Sequence, residues 1–139
     1  MSGWTRVRAV VNLVNLSTSL GLLLARLGGC EVVRHERDTW LAGGYRWPFP
    51  RAGAFTIGCV VLSHRDVADL RARPALLRHE DRHCTQYAWC LGPVMLVPYT
   101  LSVLVSWVVA GDVSSANPFE RLAGLADGDY PPARTRWHR

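Results

Sequence analysis

Two long stretches of the chain carry no charge. Residues 9–25 contain no Asp, Glu, Lys or Arg, and neither do the 28 residues from 84 to 111. Either stretch can lie in a bilayer or in a buried core. Residues 91–110 number 20, enough to cross a ~30 Å hydrocarbon layer as one helix. Residues 9–25 are diluted by Asn12, Asn15, Ser17, Thr18 and Ser19, and are followed by Arg26 and Gly28-Gly29. They predict an apolar helix that ends on glycine. Arg6 and Arg8 ahead of the run give it the outline of a secretion signal, and Leu27-Gly28-Gly29-Cys30 that of a loose lipoprotein box. Arg26 and the polar dilution weigh against cleavage, which leaves a helix that packs on the domain or anchors it in a membrane.

Between the two runs the pattern changes. Residues 31–53 mix charges with Gly43-Gly44 and Trp47-Pro48-Phe49-Pro50, which predicts loops with short extended pieces. Residues 54–63 (AFTIGCVVLS) predict a strand, with Gly58 marking a bulge or a close backbone approach. Pro74 opens a helical stretch that continues to Tyr87, and Gly92-Pro93 breaks it. Asn117, Pro118 and Glu120 have the N-cap, N1 and N3 spacing of another helix start. The expected organisation is an apolar N-terminal helix (1–29), a domain (30–127) and a basic, mobile C-terminal tail (128–139).

Composition narrows the class. A chain of 139 residues, 49% hydrophobic and 19% charged, is one ordered domain. All 16 basic residues are Arg; residues 1–78 hold 11 of them against five acids, and residues 79–139 hold five against six. The basic half would suit nucleic acid or anionic lipid. No helix-turn-helix, zinc-finger or RNA-binding pattern supports nucleic acid as a partner, and the Arg bias favours the cytoplasmic side of a membrane. Cys30, Cys59, Cys84 and Cys90 have no CxxC spacing and are expected to be reduced and mostly buried.

The chemistry concentrates at His79-Glu80-Asp81-Arg82-His83, an HExxH motif. Residues four apart share a helix face, so both imidazoles can point at one metal while Glu80 reaches a water beside it. This composition gives the pattern by chance about once in 200 such chains. Zinc is the default ion for His ligands on a hydrolytic helix, and a catalytic site needs a third protein ligand. Gln86 and Trp89 exclude the HExxHxxGxxH form. Glu120 is the best candidate, although it could equally complete a capping box with Asn117. Asp127, His64 and Cys84 are weaker ligand candidates. Gln86, Tyr87 and Asn117 are candidates for positioning or substrate contact, Tyr87, Tyr99 and Tyr130 for oxyanion stabilisation. His35 is expected to be solvated, and His138, a remote transition-state donor, to be part of a solvated end.

The strand AFTIGCVVLS, then LLRHEDRHCTQY, LGP and NPFERLA, together resemble small bacterial zincin-like metallopeptidase domains. The nearest are HExxHxxQ domains, some of them associated with contractile injection systems. The resemblance covers about residues 50–127 and rests on His79, Glu80, His83, Gln86 and the Glu120/Ala123 pair. It implies an α+β, mostly helical zincin-like fold, with a strand beside the active helix to bind extended substrate and a later helix supplying a Glu ligand. Two departures stand out: Gly124 occupies the position where better-known Glu-zincins carry Asp, and Asp81-Arg82 put two charges between the histidines.

A straight crossing by residues 91–110 would put Glu120 on the far side of a membrane from His79 and His83. A long apolar helix folded back on the active helix, kinked at Pro98, removes the conflict. Trp4, Trp89 and Trp107 suit an interfacial belt or a core edge. The expectation is a membrane-associated zinc metallopeptidase acting on peptide or protein, with membrane lipid as a further partner. The alternative is a non-catalytic, membrane-associated interaction module on the same scaffold.

Overall fold

The computed structural model describes residues 3–133; His138 lies outside them. Helices α1 (Gly3–Val14) and α2 (Ser17–Leu27) precede strands β1 (Glu31–His35), β2 (Thr39–Gly43), β3 (Phe55–Ile57) and β4 (Val60–Leu62). Helices α3 (Val67–Arg71), α4 (Pro74–Trp89), α5 (Leu96–Ala110) and α6 (Pro118–Ala123) follow. The strands form one mixed sheet in the order β1-β2-β4-β3, with only β2 and β4 parallel. The architecture is therefore α+β and mostly helical, with short strands ahead of the motif-bearing helix.

Strand alternation divides the core in two. Leu41 and Val61 face Leu70 and Leu76 of α3 and α4. Ala42, Val60 and Leu62 face Ala25 of α2 and the Tyr45 ring. Thr56 pairs with Val61 across β3 and β4 and so points to the α4 side, where it meets the motif.

Three local expectations need correction. Residues 54–63 are a hairpin: Ile57 pairs with Val60, leaving Gly58-Cys59 as the turn. Gly58 has φ +64°, and a Cβ there would come within 2.3 Å of the Thr18 nitrogen. The expected close approach is present, but no bulge is. The short extended pieces expected in residues 31–53 are two five-residue strands, β1 and β2, paired in a hairpin across a 3-10 turn at Glu36–Asp38, so less of this stretch is loop than expected. Residues 9–25 form two helices bent by 73°. The Asn15 side chain accepts from the Ser17 amide (3.0 Å) and hydroxyl (2.6 Å), while Leu16 turns left-handed at φ 68°. A short polar side chain has outcompeted the helical ladder.

The outer helices are polarised in an unusual sense. α1 buries Thr5, Arg8 and Asn12, one face by spacing, and exposes Val7, Val10, Leu13 and Val14. The buried polar face ties α1 to the domain. Arg8 bonds Asp81 Oδ1 (2.8 Å), the Asp81 and Arg37 carbonyls (3.0 and 2.9 Å) and Thr85 Oγ1 (3.2 Å). Asn12 donates to the Cys84 carbonyl at 2.8 Å.

The second apolar run also differs from expectation. After a 3-10 turn at Gly92–Met95, α5 starts at Leu96, so Pro98 falls in its first turn, where a missing N–H costs little. α5 does not pack back along α4. The return is made by residues 112–120, which run beside α5: Ala116 N donates to Ser106 Oγ (2.9 Å), and Tyr99 OH donates to Glu120. The run leaves from the motif helix, and the chain after it comes back there.

Candidate metal centre

Pro74 at N1 starts α4, and its helical spacing stacks His79 above His83 on the buried face. α6 brings Glu120 against them. His79 Nε2 lies 3.1 Å from His83 Nε2, and Glu120 Oε2 lies 3.0 and 3.4 Å from the two nitrogens. His79 and Glu120 are each 2% exposed and His83 6%.

The hydrogen bonds fix what these atoms offer. His79 Nδ1 lies 2.9 Å from the Gly124 carbonyl, which can only accept, so Nδ1 carries the proton. Gln86 Nε2 donates to the Phe119 carbonyl at 2.9 Å, which turns Oε1 toward His83 Nδ1 at 2.8 Å as an acceptor. With both rings neutral, as metal ligands must be, their Nε2 atoms therefore present lone pairs, and Glu120 Oε2, buried, has no hydrogen-bond partner. Three electron-rich atoms converging in a buried space repel one another unless a cation sits among them. His79, His83 and Glu120 thus form a group able to hold a metal ion. Burial disfavours a charged His83, yet the adjoining Glu120 and Glu80 carboxylates outweigh it and raise its pKa. Burial likewise opposes the Glu120 carboxylate, but the His79 and His83 rings beside it and the Tyr99 hydroxyl outweigh it and hold the group well below the usual range.

Glu80, the next residue on α4, reaches the sheet while lining the same cavity as the triad. Thr56 Oγ1 donates to its Oε2 at 2.7 Å, and burial raises its pKa despite His83 and Thr56. Glu80, Tyr87, Tyr99 and Tyr130 line, with the triad, a cavity of about 520 Å³. β3, an edge strand of the sheet, forms part of its wall.

The other candidates sort clearly. Glu120 is not a capping residue; the Asn117 amide donates to the Ser114 carbonyl instead. Asn117 itself caps α6 through the Phe119 amide (3.0 Å) and does not reach the cluster. Tyr99, an oxyanion candidate by sequence, holds Glu120 Oε1. Asp127 is engaged by Arg78 and Arg82, His64 lies between the Tyr45 and Pro50 carbonyls, and Cys84 is buried against Cys59; none joins the triad. All four cysteines are free, and Cys59 and Cys84 are buried. Asp81 and Arg82 turn away from the cluster, to Arg8 and Asp127.

Sequence reasoning missed Gly124. Its carbonyl orients His79, and a Cβ there would sit 2.7 Å from Arg82 Nη1. Two residues past position 127 also reach the site. Gly128 lies against the His79 ring, where a Cβ would come within 2.7 Å, and Tyr130 packs at 5.8 Å between ring centroids. Gln86→Ala removes both its bonds at once and frees the His83 ring to turn. Metal affinity should fall about 10–100-fold, read by competition with a chromophoric chelator.

The chain matches no family model, no curated protein and no solved structure.

Proposed function

We propose that the protein is a zinc-dependent metallopeptidase of zincin-like architecture. The observation that carries this is the convergence of His79 Nε2, His83 Nε2 and Glu120 Oε2, with Glu80 one residue from a ligand and facing the same cavity. Two imidazoles and a carboxylate suit zinc, and leave a coordination position open. Zinc held there supplies Lewis acidity toward a carbonyl oxygen and acidifies water.

The chain's own residues do the rest. Gly124 and Gln86 fix the tautomers of His79 and His83, and Tyr99 steadies Glu120 through its other oxygen. Glu80 takes a proton from the attacking water and passes it to the leaving nitrogen as the C–N bond breaks. Thr56 holds one oxygen of Glu80, leaving the other to take the proton. Edge strand β3 offers an extended peptide a partner, with its carbonyl brought toward the triad.

The test is metal content with activity. Purified wild-type protein should carry about one zinc per chain and hydrolyse peptides until chelated, recovering on zinc addition. His79→Ala with His83→Ala should carry none. Wild-type protein that takes up no zinc would sink the proposal.

A further inference from the structure

Three helices of this protein are built inside out. α1 buries Thr5, Arg8 and Asn12; α2 buries Ser17, Thr18, Gly21 and Ala25; α5 buries only Ser106 and Ala110. Their large apolar side chains face outward, among them Val10, Leu20, Leu23, Leu101, Leu104 and Val108. Gly92–Ala110 is strongly apolar along its length yet lies mostly on the surface, the reverse of a soluble core helix. Small and polar residues inward with apolar residues outward is the pattern of helices whose solvent is lipid.

These faces form one surface. The rings of Trp4 and Trp89 lie 5.9 Å apart, joining α1 to the end of α4. Asn15, at the α1–α2 bend, sits against Gly92, ahead of α5. Leu24 of α2 and Leu96 and Val103 of α5 line the metal cavity together with Trp47 and Phe49. Phe49 is 77% exposed. The cavity therefore opens onto the apolar surface.

Charge and backbone point to the same occupant. Residues 1–30 hold Arg6, Arg8 and Arg26 and no acid; the loop bearing Trp47 and Phe49 adds Arg46 and Arg51. Except for buried Arg8 these are exposed, and they match anionic headgroups. The irregular return after α5 satisfies its own amides. Ser114 and Ser115 donate to Asp112, Ala116 to Ser106 and Asn117 to Ser114. Irregular backbone needs such satisfaction to enter hydrocarbon. From Tyr99 to Ala110, α5 extends about 16 Å, roughly one leaflet of a ~30 Å core.

We propose that this surface is seated in one leaflet of an anionic lipid bilayer, with the cavity mouth opening into lipid, and that the substrate is an apolar peptide segment entering from the hydrocarbon. The choice of substrate rests on the metallopeptidase reading; the seating does not. Insertion from one side is compatible with the return of residues 112–120 beside α5 to His79 and His83. The apolar cavity wall accepts apolar side chains along β3.

The experiment uses vesicles of phosphatidylcholine and phosphatidylglycerol in equal amounts. The wild-type chain should float with them. The combined Leu101→Asn, Leu104→Asn, Val108→Asn variant should bind about a hundredfold more weakly while keeping its zinc, which shows the site is folded. Photoreactive benzoylphenylalanine should crosslink to acyl chains from position 49 and not from position 71, on the far side of α4. Wild-type protein left unbound, as a monomer or as a dimer closed over this face, overturns the seating; so does equal crosslinking from position 71. For the substrate, a peptide inserted in the vesicles should be cleaved at least about tenfold faster by wild type than by the variant, and a water-soluble peptide equally by both. Equal rates on the inserted peptide overturn the substrate assignment. Crosslinking without cleavage of either peptide overturns the metallopeptidase reading, and the substrate with it, and leaves the seating supported.

Discussion

Glu80→Gln is expected to keep its zinc and lose about 10²–10⁴-fold in peptide hydrolysis, the usual worth of a positioned general base. The substitution preserves shape. The amide oxygen it introduces can still accept from Thr56, which now holds Glu80 at 2.7 Å, so the α4–β3 contact survives. The triad does not use Glu80 as a ligand; its members are His79, His83 and Glu120. Metal content should therefore be unchanged, separating this variant from the His79/His83 pair, in which metal and activity disappear together. The loss should appear in kcat with little change in KM, because an amide cannot take the proton but occupies the same space. Equal turnover by Glu80→Gln and wild-type protein would remove Glu80 from the mechanism, and with it the reason for reading the motif as more than a metal site.

The site is legible in the sequence to the extent that its chemistry is local. His79, Glu80, His83 and Gln86 lie within two turns of one helix, and periodicity alone puts three of them on related faces. Glu120 is ambiguous in sequence because an N3 glutamate serves a capping box and a metal equally well. In the structure the Asn117 amide is satisfied by Ser114 instead, and Glu120 Oε2 lies against the two imidazoles. Gly124 is invisible there because a backbone carbonyl has no residue type. The broken N-terminal helix is hidden for a related reason: nothing in the spacing says that Asn15 will bond Ser17 rather than point to solvent. The long apolar run has the expected endpoints and a different path between them. Its length and its need to return are in the sequence, but whether α5 or the segment after it makes the return depends on packing.

Arg8 departs furthest from expectation. Two arginines before an apolar run look like a flank left in water or at a membrane surface, yet Arg8 is fully buried, 73 residues from its carboxylate partner Asp81. A paired buried charge is costly to strand. Asp81→Leu should therefore destabilise more than Arg8→Met. Removing Asp81 leaves the guanidinium, with no exposure, short of its countercharge, a loss of about 4–5 kcal/mol. Removing Arg8 leaves Asp81 partly exposed and still paired with Arg37 at 3.1 Å, a loss nearer ~3 kcal/mol. The thermal midpoint of zinc-loaded protein should fall by about 10 °C or more in the first case. Replacing both residues together should recover part of the loss, since an apolar pair strands no charge. Because α4 carries Asp81 between His79 and His83, the same variants should loosen the metal as they loosen α1. A double variant no more stable than Asp81→Leu would show that Arg8 holds α1 through its carbonyl bonds to Asp81 and Arg37 rather than through charge.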